Sequence, residues 1–442
     1  MRRALGIEAY PRPLTAWWVV FLVFVAAIIS YSDRQVMSLV VDPIRRDLHI
    51  SDVGIGLLMG TAFAAIYAVA GIPLGFLADR RSRRNLIVGG MLVWSVATVY
   101  CGFASTFREM FAGRVAVGLG EAVLSPAAVS LIGDFFPPKR RGMALGVYFT
   151  GISIGIGSAV VIGGALLSAI EYGLLSGTAL AHLEPWRAVL MLIGAPGILW
   201  ALLMLTFREP PRRDAPEAPE GVRDAHTPVP RRQTAFRLAP LFVAVSMAAL
   251  IDNAIAAWSP SLLIRNFHRD AAQVGVTLGL LFMSGGGVGM LCGGWLSDRA
   301  QRRWGLAGRL YLCLAAACLG IAVAVLMDSS RMTIILTAIF VIFFASALIT
   351  SSGLAAILEC VPNHRRGIAT SISFFMNVAI GLGIGPAAVA LTAGSVFSGK
   401  SGLASALLLI GALGYVIAAT GAWAAAALLG LPRAAPPLKA VV

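Results

Sequence analysis

Apolar runs of about 20 residues recur along nearly the whole chain, separated by short polar or basic stretches. Each is long enough to cross a hydrocarbon layer ~30 Å thick. Twelve windows are read at approximately 14–42, 53–78, 85–106, 107–135, 142–171, 186–207, 236–266, 271–297, 307–328, 332–361, 367–397 and 402–430. Trp17 and Trp18, just after Pro11 and Pro13, sit where an interfacial anchor for the first helix is expected. The far half of that first window, Tyr31-Ser-Asp33-Arg34-Gln35 to Asp42-Pro43, is too polar to face lipid and is expected to line a cavity.

Composition agrees: 58% of the 442 residues are hydrophobic and 13% charged, against about 25% charged in a soluble domain. The net charge of +14 would fit a nucleic-acid partner only if the basic residues gathered in one patch, and they do not. With the N-terminus inside, about 25 of the 35 Lys and Arg fall in the N-terminal arm, the even-to-odd loops, the central linker and the tail. That asymmetry predicts an integral protein of a bacterial inner membrane with both termini cytoplasmic. The start Met-Arg-Arg plus an apolar run resembles a signal peptide, but the run leads into Asp33-Arg34 without a small-residue cleavage pattern, so it is expected to stay as a span. Cys101, Cys292, Cys313, Cys318 and Cys360 lie in apolar segments without metal-ligand spacing and read as packing residues.

The chain repeats itself. Gly75-Phe-Leu-Ala-Asp79-Arg80-Arg81-Ser82-Arg83-Arg84 after the second window aligns with Gly294-Trp-Leu-Ser-Asp298-Arg299-Ala-Gln-Arg302-Arg303 after the eighth, at an offset of 298 − 79 = 219. Pro138-Lys139-Arg140-Arg141-Gly142 aligns with Asn363-His364-Arg365-Arg366-Gly367 at 366 − 141 = 225. Two echoes in one order at nearly one offset indicate a duplicated six-helix unit in parallel orientation. The expected organisation is an N-terminal bundle over 1–207, a Pro-rich cytoplasmic linker over 208–235 and a C-terminal bundle over 236–442. Glycines crowd the fifth, eighth and eleventh helices, where they let backbones approach closely.

Charges inside the windows carry the candidate chemistry. Arg114 and Glu121 are seven residues apart, two turns or roughly 10 Å, and so share a helix face. An uncompensated charge at bilayer depth costs roughly 2.5–3.5 kcal/mol on the insertion scale, so the pair needs a partner or a task. Asp33 and Arg34 in the first window are the nearest candidates. The protonation of Asp33 and Glu121 would respond both to cavity opening and to a neighbouring Arg, which suits proton coupling. The alternative is a permanent Asp33–Arg114 or Glu121–Arg34 bridge that fastens helices one and four. Arg34 and Arg114 offer planar forks for a phosphate or carboxylate. In the second half Asp252 stands at the repeat position of Asp33, but Asn253 replaces the arginine, and Ser346, Thr350, Ser351 and Ser352 occupy the region of Glu121. Asn253, Trp258, Ser346, Thr350 and Phe374 would give a mixed polar and apolar wall suited to an amphipathic solute. Asp252 is either functional or held by nearby hydroxyls. The five histidines lie in loops or at helix ends without ligand spacing or a nucleophile motif, so an enzyme is not expected.

Twelve spans in two related halves, with Gly-x-Leu-Ala-Asp-Arg-x-x-Arg-Arg between helices two and three, resemble the major facilitator superfamily of secondary transporters. Within it, Tyr31-Ser-Asp33-Arg34, Arg114-Val-Ala-Val-Gly118-Leu-Gly120-Glu121-Ala122 with Asp134-Phe-Phe, and Trp258-Ser-Pro260-Ser-Leu-Leu-Ile-Arg265 resemble the spinster-like branch. The organic anion:cation symporters share the first two features. Ser158 stands where the drug-antiporter signature has proline. The resemblance implies an all-α membrane fold of two pseudo-symmetric six-helix bundles, working by alternating access, monomeric, with H+ as coupling ion and no other cofactor. It implies as cargo an amphipathic anionic or zwitterionic lipid such as a lysophospholipid or sphingosine-1-phosphate, the alternative being a small carboxylate. Asp79, Arg83 and Asp134, mirrored by Asp298, Arg302 and Glu359, are expected to latch the cytoplasmic side in the outward-open state.

Overall fold

The computed structural model describes residues 10–212, 231–361, 366–397 and 402–429. Most of the 208–235 linker and the 362–365 loop therefore lie outside the described residues. Among the described residues every regular element is helical, and twelve helices are long and apolar enough to span a membrane. They are α1 Pro13–Leu39, α2 Asp52–Gly71, α3 Arg83–Phe103, α4 Phe107–Phe135, α5 Arg140–Glu171, α6 Pro185–Thr206, α7 Arg237–Phe267, α8 Ala271–Trp304, α9 Leu306–Asp328, α10 Met332–Cys360, α11 Ile368–Ser395 and α12 Gly402–Leu428. These correspond one to one with the windows read from hydropathy. Large apolar side chains such as Leu14, Val69, Leu199, Leu291 and Trp423 point outward, a surface that water would penalise and hydrocarbon accepts.

Local chemistry sets the helix ends. Ser51, Ser82 and Thr106 each cap a helix by accepting from the backbone N–H three residues on, Gly54, Asn85 and Glu109. Glu109 reaches back to accept from the Ser105 N–H at 2.7 Å, reinforcing the start of α4.

Six helices carry irregular turns, α6 and α9 as 3-10 turns at their ends, Met204–Thr206 and Val325–Asp328. In α1 the α-helix ends at Gln35 and tightens into a 3-10 turn over Val36–Leu39. In α4 it stops at Glu121 and resumes at Leu124, because Pro126 has no N–H to give the Ala122 carbonyl. The break therefore falls beside a buried acid. In α2 a π turn spans Leu57–Thr61, and in α11 another spans Asn377–Leu382. Thr61 Oγ1 donates to the Gly383 carbonyl at 2.9 Å, and a Cβ on Gly60 would lie 2.6 Å from the Leu382 carbonyl.

Backbone contacts divide the chain into two compact units. The first comprises Met1–Ala225 together with Ala254–Met283 and Leu382–Leu403; the second comprises His226–Asn253, Ser284–Gly381 and Ala404–Val442. Two stretches from the second sequence half thus pack within the first unit. Small residues make that possible: a Cβ on Gly56 would meet the Pro386 carbonyl at 2.9 Å, and one on Gly279 the Gly157 carbonyl at 2.6 Å. In the second unit Leu238, Leu241, Val245, Leu310, Ala356 and Ile357 form a buried cluster.

The α3–α4 crossing fixes where Glu121 sits. Gly90 and Gly120 lie back to back, so a Cβ on either would be 2.6 Å from the other's carbonyl oxygen. Gly89, one residue away, has nothing within 4 Å of its Cβ direction. Gly120→Val is expected to destabilise by roughly 1–3 kcal/mol, the usual cost of overpacking, whereas Gly89→Ala leaves stability unchanged or slightly raised. Thermal unfolding of both variants in detergent checks the contrast.

Candidate functional site

Four charged side chains meet in the interior of the first unit, carried by α1 and α4. Glu121 is 1% exposed, and its Oε2 accepts from Arg34 at 2.6 Å and from Ser30 Oγ at 2.8 Å; its Oε1 has no partner. Of the two bridges considered from sequence, this Glu121–Arg34 pair forms. The Arg34 guanidinium is also boxed by aromatic rings, 4.5 Å from the Tyr31 centroid, 4.3 Å from Phe63 and 5.5 Å from Tyr67. Cation–π attraction replaces part of the hydration that the cation lost. Nothing in the hydrophobic pattern of α2 marked Phe63 and Tyr67, although their spacing of one turn places both rings on one face.

The other pair does not form an ion contact. Asp33 has no exposed surface, its Oδ2 lies 3.5 Å from the Thr98 hydroxyl, and its Oδ1 has neither partner nor solvent. No described cation lies within ion-pair distance of it, although it feels the charges of Glu121 and Arg114. Arg114, 3% exposed, donates through Nε to the Leu58 carbonyl at 3.3 Å and faces the Phe63 ring at 5.6 Å, leaving one terminal nitrogen without a partner. One acid and one base are thus joined while the other two hold unfilled hydrogen-bonding capacity in an apolar interior, which an exchange of partners or an added ligand would satisfy.

At the end of the first unit where α1 gives way to α2, sequence reading missed a second charged cluster. Arg265 of α7 forks onto Asp52, with contacts of 3.0 and 2.9 Å, and bonds Asp42 at 2.8 Å. The bidentate geometry is the strong form of a charge-assisted bond. Gln35 adds an amide bond to the Ala256 carbonyl at 2.8 Å. Arg187 and Trp186 of α6 both donate to Asp47. The signal available in sequence was Asp42-Pro43 and the Arg265 closing the Trp258 segment.

At the opposite end, the charged contacts differ from those expected of a latch. Arg83, 1% exposed, pairs with Asp134 as predicted, but it also pairs with Glu209 just after α6 at 2.6 Å. Glu209 further accepts from Ser82 Oγ and from the backbone N–H groups of Arg83 and Arg84, filling the donors at the start of α3. The Asp79 side chain lies outside the described residues. In the second unit Arg309, rather than Arg302, joins Asp298 at 3.2 Å and Glu359 at 3.1 Å; among the described residues Arg302 bonds the Asp298 backbone carbonyl, one turn earlier on its own helix. Asp298 and Glu359, aligned by the sequence repeat, thus share Arg309 of the next helix.

The residues expected to form the second wall divide into two groups. Trp258 and Ser346 have no exposed surface: the Trp258 indole donates to the Pro386 carbonyl at 2.9 Å, and Ser346 is bonded to Tyr415 at 2.9 Å. Both are packed parts of their units rather than open wall. Asn253 and Thr350 are partly exposed, with the Asn253 amide donating to the Ala249 carbonyl, and Phe374 is 50% exposed. Among the described residues no group of three or more His, Cys, Asp or Glu is placed to hold a metal ion.

The Glu209 carboxyl is held below the usual carboxylate range. Its burial pushes the other way, but the hydrogen bonds from Ser82 and Arg83 outweigh it. A carboxyl depressed in the folded state contributes stability that is present above the unfolded carboxylate range near about 4.3 and is lost as pH falls through the lower folded value. Glu209→Gln is therefore expected to flatten the acid limb of a stability-against-pH profile measured by thermal unfolding, with the neutral-pH stability lowered.

With this geometry in hand, comparison with known proteins places the chain. Residues 23–386 match the Major Facilitator Superfamily. An MFS-type efflux pump of Mycolicibacterium smegmatis (strain ATCC 700084 / mc(2)155) is 29% identical over 94% of both chains. A hexuronate transporter of Bacillus subtilis (strain 168) is 25% identical over 90% of this chain and 93% of its own. A crystal structure of a bacterial homologue to the human lysosomal transporter Spinster, inward-facing and unoccupied, superposes with a TM-score of 0.75 at 25% identity, covering 95% of this chain and 97% of that one. The family match across most of the sequence and the twelve-helix likeness to a bacterial spinster homologue agree: the chain belongs to the Major Facilitator Superfamily.

Proposed function

We propose that this transporter couples proton movement to the passage of an amphipathic anionic or zwitterionic lipid, of the lysophospholipid or sphingosine-1-phosphate class, by alternating access in a bacterial inner membrane. The observation that carries the reading is the unequal state of the two acid–base pairs: Glu121 and Arg34 form an ion pair and Asp33 and Arg114 do not, while each of the four keeps a buried atom without a hydrogen-bond partner. A proton arriving on Glu121 weakens its hold on Arg34 and frees a planar fork for a phosphate or carboxylate. The headgroup then competes for the same guanidinium, so proton and cargo are linked through one cation. Tyr31, Phe63 and Tyr67 keep Arg34 in place during the exchange.

The distribution of basic residues puts the termini in the cytoplasm, which makes the Arg265 cluster an outer clamp and the Arg83 and Arg309 networks cytoplasmic. The lipid reading is supported by α11, where Ile368, Ile372 and Phe375 follow one face at helical spacing and are 63%, 43% and 44% exposed, a surface suited to an acyl chain. A second reading, proton-coupled uptake of a small carboxylate, is favoured by the full-length similarity to a hexuronate transporter.

Reconstitution in proteoliposomes tests the coupling. Asp33→Asn and Glu121→Gln are expected to abolish accumulation driven by a pH gradient while retaining downhill flux, and gradient-driven accumulation unchanged in both variants would refute it. Arg34→Gln should weaken cargo binding by roughly 10- to 100-fold, the value of a charge-assisted hydrogen bond of about 1.5–3 kcal/mol. Competition between a lysophospholipid and a hexuronate for that site decides the cargo: displacement by the lipid alone supports the first reading, and displacement by the sugar acid alone supports the second.

A further inference from the structure

The end of α8 carries a basic cluster that the coupling scheme and the charged networks leave unused. In the first copy of the loop motif Arg83 is buried and is spent on Asp134 and Glu209. In the second copy Arg309 has taken both acids, Asp298 and Glu359, so the matching Arg302 is left exposed, with Arg299 and Arg303 exposed beside it. Among the described residues none of these three arginines forms an ion pair. Their contacts stay on their own helix: Arg302 bonds the Asp298 carbonyl at 3.3 Å, the Arg299 guanidinium lies 5.8 Å from the Trp295 ring centroid, and that of Arg303 lies 5.2 Å from Trp304. Four arginines, 299, 302, 303 and 309, thus stand against two acids, Asp298 and Glu359, an excess of two positive charges.

Helical spacing puts that excess at one end of a graded stripe. Val288, Leu291, Trp295, Arg299 and Arg302 recur every three or four residues and so share one face of α8. Val288, Leu291 and Trp295 are 44%, 78% and 61% exposed, and the face passes from aliphatic through aromatic to basic along the helix. Leu291 and Arg299 are eight residues apart, roughly 12 Å of helical rise, against a half-thickness of roughly 15 Å for the hydrocarbon layer. An acyl chain lying along Val288 and Leu291 therefore brings its phosphate to the level of Arg299 and Arg302. Trp295 stands at the crossover, the depth that an indole prefers, and its ring draws the Arg299 guanidinium onto the apolar surface instead of letting it extend into water. Guanidinium groups match a phosphodiester by charge and by their donor fork. A free phosphate ion would use the arginines and leave the aliphatic half of the stripe without a role.

We propose that Arg299, Arg302 and Arg303, with Leu291 and Trp295, form a binding site for an anionic phospholipid of the surrounding bilayer, its phosphate on the arginines and an acyl chain along the apolar half of the stripe. A zwitterionic lipid brings its own ammonium and leaves the excess charge uncompensated, so the site selects a headgroup of net negative charge. It lies wholly within the second unit, away from the four central charges, and takes a structural lipid, not the cargo. The site stands whether or not the cargo reading holds.

Native mass spectrometry of the purified full-length protein in a neutral detergent, titrated with dioleoyl phosphatidylglycerol or dioleoyl phosphatidylcholine, tests it. The parent chain is expected to retain phosphatidylglycerol in preference to phosphatidylcholine. Each arginine near a lipid surface is worth roughly fivefold in binding, so the triple variant Arg299→Gln, Arg302→Gln, Arg303→Gln should weaken phosphatidylglycerol binding by about 100-fold and leave phosphatidylcholine binding unchanged. A control triple, Arg108→Gln, Arg269→Gln, Arg331→Gln, removes the same charge from exposed positions elsewhere and should keep the preference. Equal losses in the two triple variants would mean that net charge alone attracts the lipid, and would overturn the proposal; so would a parent chain without preference between the two lipids. Should the first triple variant fail to fold, Arg299→Gln alone carries the decision: a loss of roughly fivefold supports the site, and unchanged binding refutes it.

Discussion

Keeping charge in an apolar interior is the constraint to which the rest of this molecule answers. The Glu121–Arg34 contact at 2.6 Å costs both ions their water, and Coulomb attraction recovers that loss only if geometry is good and remaining donors and acceptors are occupied. Here the recovery is incomplete. Arg34 is surrounded by three rings, whereas Glu121 Oε1, Asp33 Oδ1 and an Arg114 nitrogen are left over. A static scaffold would do better with packed leucines. The arrangement fits the proposed coupling, in which groups change partners, because unfilled positions are where a next partner can go.

Backbone irregularity serves the same end. The interruption of α4 falls beside Glu121 because Pro126 cannot supply the next helical bond, and Gly90 against Gly120 presses α3 close enough to hold that broken turn. Thr98 of α3 then reaches Asp33. A proline, two glycines and a threonine, none of them charged, thus decide where two acids of different helices come to rest. At either end of the first unit, arginine forks do the fastening: Arg265 onto Asp42 and Asp52, Arg83 onto Asp134 and Glu209.

The twelve spans were legible because a single long-range rule, apolar length against bilayer thickness, governs them and needs no tertiary information. The four central charges were legible for a related reason: Asp33, Arg34, Arg114 and Glu121 are anomalies against an apolar background. Pairing was another matter. Helical spacing places side chains on faces, but the choice of Arg34 for Glu121, and of Thr98 rather than any described cation for Asp33, depends on how helices far apart in sequence are rotated. Repeat alignment found the second pair of loop acids and still named Arg302, because a symmetric sequence argument cannot see that Arg309 sits across the loop. Phe63, Tyr67, Ser30 and Tyr415 were invisible for the opposite reason: rings and hydroxyls are ordinary in membrane helices and acquire meaning only from their neighbours.

The π turns of α2 and α11 bear on how main-chain bonds rearrange in oil. Each holds one residue more than its helix needs, and such a surplus can pass to the adjoining turn by swapping one set of main-chain bonds for the next. In hydrocarbon that swap is normally forbidden, since a bared peptide oxygen finds no water to replace its lost donor. The Thr61 hydroxyl already supplies a donor to the Gly383 oxygen at this joint. The fold thereby carries a built-in lubricant, one side chain standing in for solvent where a helix would otherwise be rigid by default.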